Sequence, residues 1–325
     1  MPPTAHLLPL LERLYTAFLW LYPADYRREY GPLMRQAARD MSRDAVRQAR
    51  PGTLRGLWLH ILADAVWTAI AVHRDQQEKK TMATPGTTFG ELTDTGILRP
   101  NNQDSVMSRF YPAAADDARI GLFVVSDGLG GHPDGDQASR LAVRLISEQF
   151  DERAASGDIL PTLVELVQEA NTELRLRYPG SGATLTAVAV CDRQAFIVHV
   201  GDTRAYVVAE GALTQLTDDH TLARRLVEMG RMTLEDIVGH ELTAVLYRAL
   251  GQADVIEVDT RTYELPPDSR LLLCSDGLWR MVEDDRMLEI ILNEPNPQEA
   301  CDKLIALANH LGGEDNVSAV VVHIA

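Results

Sequence analysis

Two aspartates of this chain stand in nearly the same phrase. An apolar run ends in Ser-Asp-Gly-Leu at Leu122-Phe123-Val124-Val125-Ser126-Asp127-Gly128-Leu129, and again at Leu271-Leu272-Leu273-Cys274-Ser275-Asp276-Gly277-Leu278. Each apolar run reads as a buried strand and each glycine permits the turn that follows, so both carboxylates are mounted where a strand ends. Asp315 follows Gly312-Gly313-Glu314 and leads into the last apolar run, Val317 to Ile324. Three rigidly mounted carboxylates are the donor set of a hard divalent cation, manganese or magnesium, and zinc is disfavoured for lack of His or Cys partners. An isolated Asp-Gly is usually only a turn; here the repeated strand-end context favours a metal site.

The elements that must carry these residues are grouped rather than alternated. Asp104 to Phe110 and Arg119 to Ser126 read as paired strands, Gln137 to Ala154 and Leu160 to Tyr178 as two helices, and Ala183 to Leu216 as a meander of three strands. Asp218-Asp219-His220 opens a helical insert running to about Leu250; strands around Val255–Leu265 and Arg270–Cys274, a helix from Pro297 to Leu311 and the final strand follow. Such grouping predicts an α+β fold with antiparallel sheets and helices packed outside them, and argues against a doubly wound parallel sheet.

The 325 residues, 46% of them hydrophobic, suffice for a substantial core and more than one domain. Residues 1–78 read as a small helical module, 79–88 as a polar linker and 89–325 as the larger, strand-rich domain; Met82 is a second candidate start. The net charge of −16 is unevenly spread, with residues 1–80 carrying +4 and the remainder −20. An acidic surface excludes nucleic acid as the partner of the larger part. The amphipathic helices of the first module are expected to pack on each other or on a protein partner, a membrane surface being the minority alternative. Leu57 to Val72, interrupted by His60 and Asp64, falls short of the roughly 20 residues a spanning helix needs. Cys191, Cys274 and Cys301 lack any Cys-x-x-Cys spacing and read as reduced thiols; together with the absence of a secretory signal they predict a cytoplasmic location. No lysine occurs between Thr81 and Asp302, which removes enzymes that need a phosphate-loop, Schiff-base or general-base lysine in that region. The Gly128 to Gly131 run is followed by Asp134 and Asp136 and by no lysine, which argues against a phosphate cradle.

Eight segments then occur in order: Arg99-Pro100-Asn101-Asn102-Gln103-Asp104, Ser126-Asp127-Gly128-Leu129-Gly130-Gly131-His132, Ser181-Gly182-Ala183-Thr184-Leu185-Thr186, Gly201-Asp202-Thr203-Arg204, Leu216-Thr217-Asp218-Asp219-His220, Arg248-Ala249-Leu250-Gly251, Ser275-Asp276-Gly277 and Asp315-Asn316-Val317. Across about 235 residues this series resembles the metal-dependent protein serine/threonine phosphatases of the type 2C family, in their bacterial form. The resemblance implies a four-layer sandwich, two antiparallel sheets between outer helices, here preceded by the small all-α module. It implies that Asp127 bridges two divalent cations, that the Gly128 carbonyl completes one coordination sphere, and that Asp276 and Asp315 serve the other. A hydroxide held between the cations would then attack the phosphorus of phosphoserine or phosphothreonine directly, without a phosphoenzyme. Further implied roles are phosphate binding by Arg99, contact with the metals through water by Asp104, and a share in a third, weaker cation by Asp202. Gln103, where many relatives place Glu, acts indirectly. Arg204 braces its loop. Leu129 stands where eukaryotic relatives carry a histidine proton donor; His132 nearby is a candidate for that role, and metal-held water is the alternative donor. The insert after His220 corresponds to a flap over the site, and Tyr247 stands where a small polar residue is usual. Phosphoproteins and the serine/threonine kinases that produce them are the implied partners. The rivals are a phosphatase-like sensor that binds without turnover and a stress-response phosphatase, whose relatives usually lack the flap.

Overall fold

The computed structural model describes residues 87–113, 119–129, 134–154, 158–237 and 240–324. The helical module expected over 1–78, the linker up to residue 86 and His132 lie outside the described residues. Among the described residues, ten strands form two five-stranded antiparallel sheets. One has the order β1 (Thr88–Asp94), β10 (Val317–His323), β9 (Arg270–Cys274), β6 (Arg204–Ala209), β7 (Ala212–Gln215). The other has the order β2 (Asp104–Pro112), β3 (Arg119–Asp127), β4 (Leu185–Cys191), β5 (Gln194–Val200), β8 (Asp259–Glu264).

Continuous apolar runs arise because the inner strands are covered on both faces. In β3, Phe123 and Val125 point into the inter-sheet core while Leu122 and Val124 point outward. In β9, Leu271 and Leu273 face inward, and Leu272 and Cys274 face the other way. The inter-sheet layer includes Phe89, Phe110 and Phe123, whose ring centroids lie 5.5 to 6.3 Å apart, the tilted and edge-on range in which aromatic rings attract. Helices α1 (Gly135–Ala154) and α2 (Ile159–Arg177) cover the outer face of the second sheet through Ile146, Phe150, Leu163 and Leu166. On the first sheet the cover is α5 (Asp284–Asn293) and α6 (Pro297–His310), through Met287, Ile291, Cys301 and Leu304. The expected layering of helix, sheet, sheet and helix is therefore the observed one.

Four expectations are corrected. Ala183 to Leu216 holds four strands, not three, and they divide between the sheets: β4 and β5 lie in one, β6 and β7 in the other. The crossing occurs at Gly201-Asp202-Thr203, where Gly201 takes φ 111°, a left-handed conformation open to glycine. Among the described residues, the insert after His220 is helical only at α3 (Leu222–Glu228) and in a 3-10 turn at Glu241–Ala244. Gly230 at φ 66° ends α3, and Asp236 ties Thr233 into a local turn, its carboxylate accepting from both the Thr233 N–H and hydroxyl at 2.8 Å. Finally, α5 and the four-residue helix α4 (Asp276–Trp279) were not anticipated, and β1 already starts at Thr88, within the stretch read as linker.

Candidate metal centre

The loops at one end of the sandwich bring the acidic residues together. Asp127 is the last residue of β3, and Asp104, the first of β2, stands directly opposite it in the ladder. Asp127 is fixed from both sides of its peptide: its N–H donates to Thr184 Oγ1 at 2.9 Å, and its carbonyl accepts from the Thr184 N–H at 2.8 Å. Asp276 opens α4, separated from β9 by Ser275 alone, and Asp315 immediately precedes the Asn316 that leads into β10. Asp202 lies on the sheet-crossing loop, its carbonyl accepting from Trp279 Nε1 at 3.0 Å. With Gly128 and Arg99, the aspartates Asp127, Asp202, Asp276 and Asp315 line one cleft of about 770 Å³, closed on one side by Ala244 to Ala249 of the insert, while Asp104 is buried beside Asp127 in the ladder.

Burial and crowding set the electrostatics. The carboxyls of Asp104, Asp127, Asp202 and Asp276 are all held above the ordinary carboxylate range, first because they are removed from water and then because they repel one another. Asp104 Oδ2 accepts from the hydroxyls of Ser275 at 2.6 Å and Ser318 at 2.7 Å. Asp104 Oδ1 and Asp276 Oδ1 are buried with no donor, and Asp127 stands within hydrogen-bonding reach of both residues. Facing the group are two guanidiniums. Arg99 donates to Asp315 Oδ2 at 2.7 Å, and Arg280 Nε lies 3.1 Å from Asp276 Oδ2. Buried carboxylates with orphaned oxygens call for cationic charge, and an all-oxygen donor set suits a hard dication.

Gly128 adds the feature that no carboxylate provides. A Cβ built there would fall far inside the van der Waals envelope of the Gly135 carbonyl and crowd the Gln103 carbonyl. Its N–H already donates to that Gln103 carbonyl at 3.0 Å, and its backbone lines the cleft. Among the described residues no three His, Cys, Asp or Glu side chains close up as a finished coordination sphere. A pair of ions completed by a carbonyl and waters does not require one.

The structure thus brings Asp127, Gly128, Asp202, Asp276, Asp315 and Arg99 to one cleft, with Asp104 buried next to Asp127. Asn316, Ser275 and Ser318 organise it without having been singled out as site residues. Asn316 Oδ1 accepts from the Gln103 N–H at 2.8 Å, while Nδ2 donates to the Thr95 and Asn101 carbonyls at 2.8 and 2.9 Å, tying the Arg99 loop to Asp315. Their signal was visible only as the neighbours of the acidic residues. Arg204 braces its loop as expected, with two hydrogen bonds to Asp219 at 2.9 and 2.7 Å and its guanidinium 3.5 Å from the centroid of the Trp279 ring.

Beneath the crossing loop lies His199, whose Nε2–H donates to the Asp218 carbonyl at 3.0 Å and whose Nδ1 faces Thr186 Oγ1 at 2.9 Å. Burial favours the neutral ring and pushes its pKa down to about 4. The unfolded ring titrates near 6.5, so between these values the unfolded state takes up the extra proton and stability falls as pH falls. The contribution is intact above pH 6.5 and is lost on acidification towards pH 4, at most about 3 kcal/mol. Urea unfolding at pH 7 and pH 5 is expected to show a loss larger by about 2 kcal/mol in wild type than in His199→Asn.

Comparison with known proteins gives one consistent answer. Residues 100–311 match the family model described as Protein phosphatase 2C. The serine/threonine phosphatase stp of Listeria monocytogenes is 36% identical over 239 residues, covering 71% of this chain and 93% of that protein. PstP of Mycobacterium tuberculosis is 36% identical over 242 residues, 73% of this chain and 45% of that protein. Among solved structures, the S. agalactiae serine/threonine phosphatase superposes with a TM-score of 0.67 at 31% identity, covering 74% of this chain and 100% of that one. The PstP catalytic domain in complex with two manganese ions superposes with a TM-score of 0.62 at 33% identity, covering 73% and 98%.

Proposed function

The chain belongs to the protein phosphatase 2C family, and from that premise we propose that Asp127, Gly128, Asp276 and Asp315 hold its two cations, with Arg99 receiving the substrate phosphate. The chain is a metal-dependent hydrolase of phosphoserine and phosphothreonine in proteins, using manganese or magnesium. The observation that carries the site assignment is that Asp127, Gly128, Asp276 and Asp315 line one cleft, with Asp276 Oδ1 buried and unpaired.

When bound, the cations supply a nucleophile at neutral pH by lowering the pKa of a shared water and offset the charge of the phosphoryl oxygens. The chain's own residues do the rest. Thr184 locks Asp127 at the strand end, so the carboxylate meets its ligands without reorganising. Ser275 and Ser318 turn Asp104 so that Oδ1 is left to orient water. Arg99, two-fifths exposed and anchored on Asp315, offers its remaining N–H groups to two phosphate oxygens at the mouth of the cleft. Asp202 is the candidate ligand of a third, weaker cation. His132 stays a candidate proton donor, since Leu129 has no proton to give.

The test is hydrolysis of a phosphothreonine peptide by the purified chain. Turnover in manganese, none in chelator and recovery on adding manganese back are the expected results; binding without turnover would favour the sensor reading. Arg99→Ala is expected to lower kcat/KM by about 10–100-fold, chiefly by raising KM, because a charge-assisted pair to the phosphate is lost.

The finer points of partnership belong to the same proposal. The substrates are products of serine/threonine kinases, and the cell compartment is the cytoplasm, a reading supported by the free thiols of Cys191, Cys274 and Cys301. Among the described residues no helix is long and apolar enough to cross a membrane. Residues 1–78 are proposed as a helical module that binds a protein partner or, failing that, a membrane surface.

A further inference from the structure

Arg280 has no part in the reaction as described, yet it touches three separate pieces of the site. It follows α4 directly, so its side chain folds back over the helix towards the cleft. Its Nε is 3.1 Å from Asp276 Oδ2, its Nη2 is 3.5 Å from Asp202 Oδ2, and the same Nη2 donates to the Thr243 carbonyl at 2.7 Å. The Asp276 and Asp202 side chains are 14% and 5% exposed and that of Arg280 is 28% exposed, so the group is largely shielded from solvent screening. Thr243 belongs to the 3-10 turn Glu241–Ala244 of the insert that walls the cleft. Trp279 Nε1 fixes the Asp202 carbonyl from the same short helix, and the Arg280 guanidinium lies 5.0 Å from the Trp279 ring centroid.

We propose that Arg280 is a tethered substitute for the third cation: its guanidinium occupies the space between Asp202 and Asp276 and latches the insert to it through Thr243. This rests on the reading that these aspartates line the metal centre. An ion bridging Asp202 and Asp276 would meet the guanidinium at Asp202 Oδ2 and Asp276 Oδ2, the oxygens that Arg280 faces. A covalently attached guanidinium competes at a high effective concentration for those oxygens. Entry of a third divalent ion therefore requires Arg280 to leave, and its leaving removes the donor that Thr243 uses. Third-site occupancy and the position of the insert become coupled, the insert loosening when the ion binds. Asp276 Oδ1, buried and without a donor, stays available for the main pair of ions.

The test is the number of manganese ions bound, read from free Mn2+ by electron paramagnetic resonance in an equilibrium titration of the full chain. Wild type is expected to bind two ions tightly, and Arg280→Met, which keeps an apolar stem against Trp279, a third at least about tenfold more tightly than wild type does. Arg280→Lys keeps a positive charge and is expected to stay at two. Adding Asp202→Asn to Arg280→Met is expected to return the number to two. Hydrogen exchange at residues 243–245 of metal-loaded protein is expected to be at least several-fold faster in Arg280→Met. A third ion bound equally well by wild type and Arg280→Met, with the same exchange in the insert, overturns the role of Arg280 and leaves the two-cation centre standing. Fewer than two ions on folded wild type overturns both.

Discussion

Asp127→Asn is expected to lower manganese-dependent hydrolysis by roughly 10³-fold or more, since even the loss of a residue that merely supports a metal ligand typically costs 10–100-fold. Asp127 sits where every part of the cluster meets. It is opposite Asp104 in the β2–β3 ladder, within reach of Asp276, and flanked by the Gly128 backbone. The amide is nearly isosteric, so the Thr184 hydrogen bonds, which involve the backbone of residue 127, are retained. Only the charge is lost. The same substitution is expected to have the opposite effect on stability in chelator. Burial and four neighbouring carboxylates, led by Asp104, hold Asp127 well above the ordinary carboxylate range, so its ionised form is a liability in the metal-free fold. An acid whose folded pKa lies above its unfolded value favours the folded state at low pH, and that advantage disappears as pH rises through the folded pKa. Metal-free wild type is therefore expected to be less stable at pH 8 than metal-free Asp127→Asn, by about 1–3 kcal/mol. Thermal melts with and without chelator check both signs: the variant melts higher without metal and gains less than wild type when manganese is added.

Gly128→Ala is the second large effect, and it acts through space rather than charge. A methyl group there meets backbone atoms, the Gly135 carbonyl and the Gln103 carbonyl, and neither is the tip of a side chain that could swing away. The strand end must shift, breaking the Gly128 N–H bond to Gln103 and displacing the carbonyl proposed as a ligand. A destabilisation of about 1–3 kcal/mol is expected from overpacking, together with a loss of activity of about 100-fold or more from a displaced ligand. Raising manganese should restore part of the Gly128→Ala activity and little of the Asp127→Asn activity, because the alanine variant keeps every carboxylate. Activity against metal concentration distinguishes the two.

The acidic triad was legible because period-2 burial on both faces writes a strand as an uninterrupted apolar run, and an Asp-Gly at its end can only be a corner. Asp127 and Asp276 were therefore placed correctly relative to their strands before any coordinates. What escaped was whatever depends on contact between distant segments. The crossing from one sheet to the other after β5 rests on Gly201, whose left-handed backbone looks in sequence like any hairpin glycine. The insert after His220 carries apolar residues at helical spacing, yet Leu234, Val245 and Tyr247 stay exposed, so little packing sustains a helix there. Ser275, Ser318 and Asn316 are unremarkable residue types whose importance follows only from the partners they find across the sheet. Arg280 is of the same kind: four residues after Asp276 it reads as a local ion pair, and its reach to Asp202 and Thr243 depends on the fold.

Anomalous diffraction from crystals grown with manganese tests the central claim most directly. Two manganese peaks are expected about 3.5–4 Å apart, with the Asp127 carboxylate between them, the Gly128 carbonyl on one ion, and Asp276 and Asp315 on the other. A single peak, or peaks bound by other groups and away from Asp127, would contradict the account.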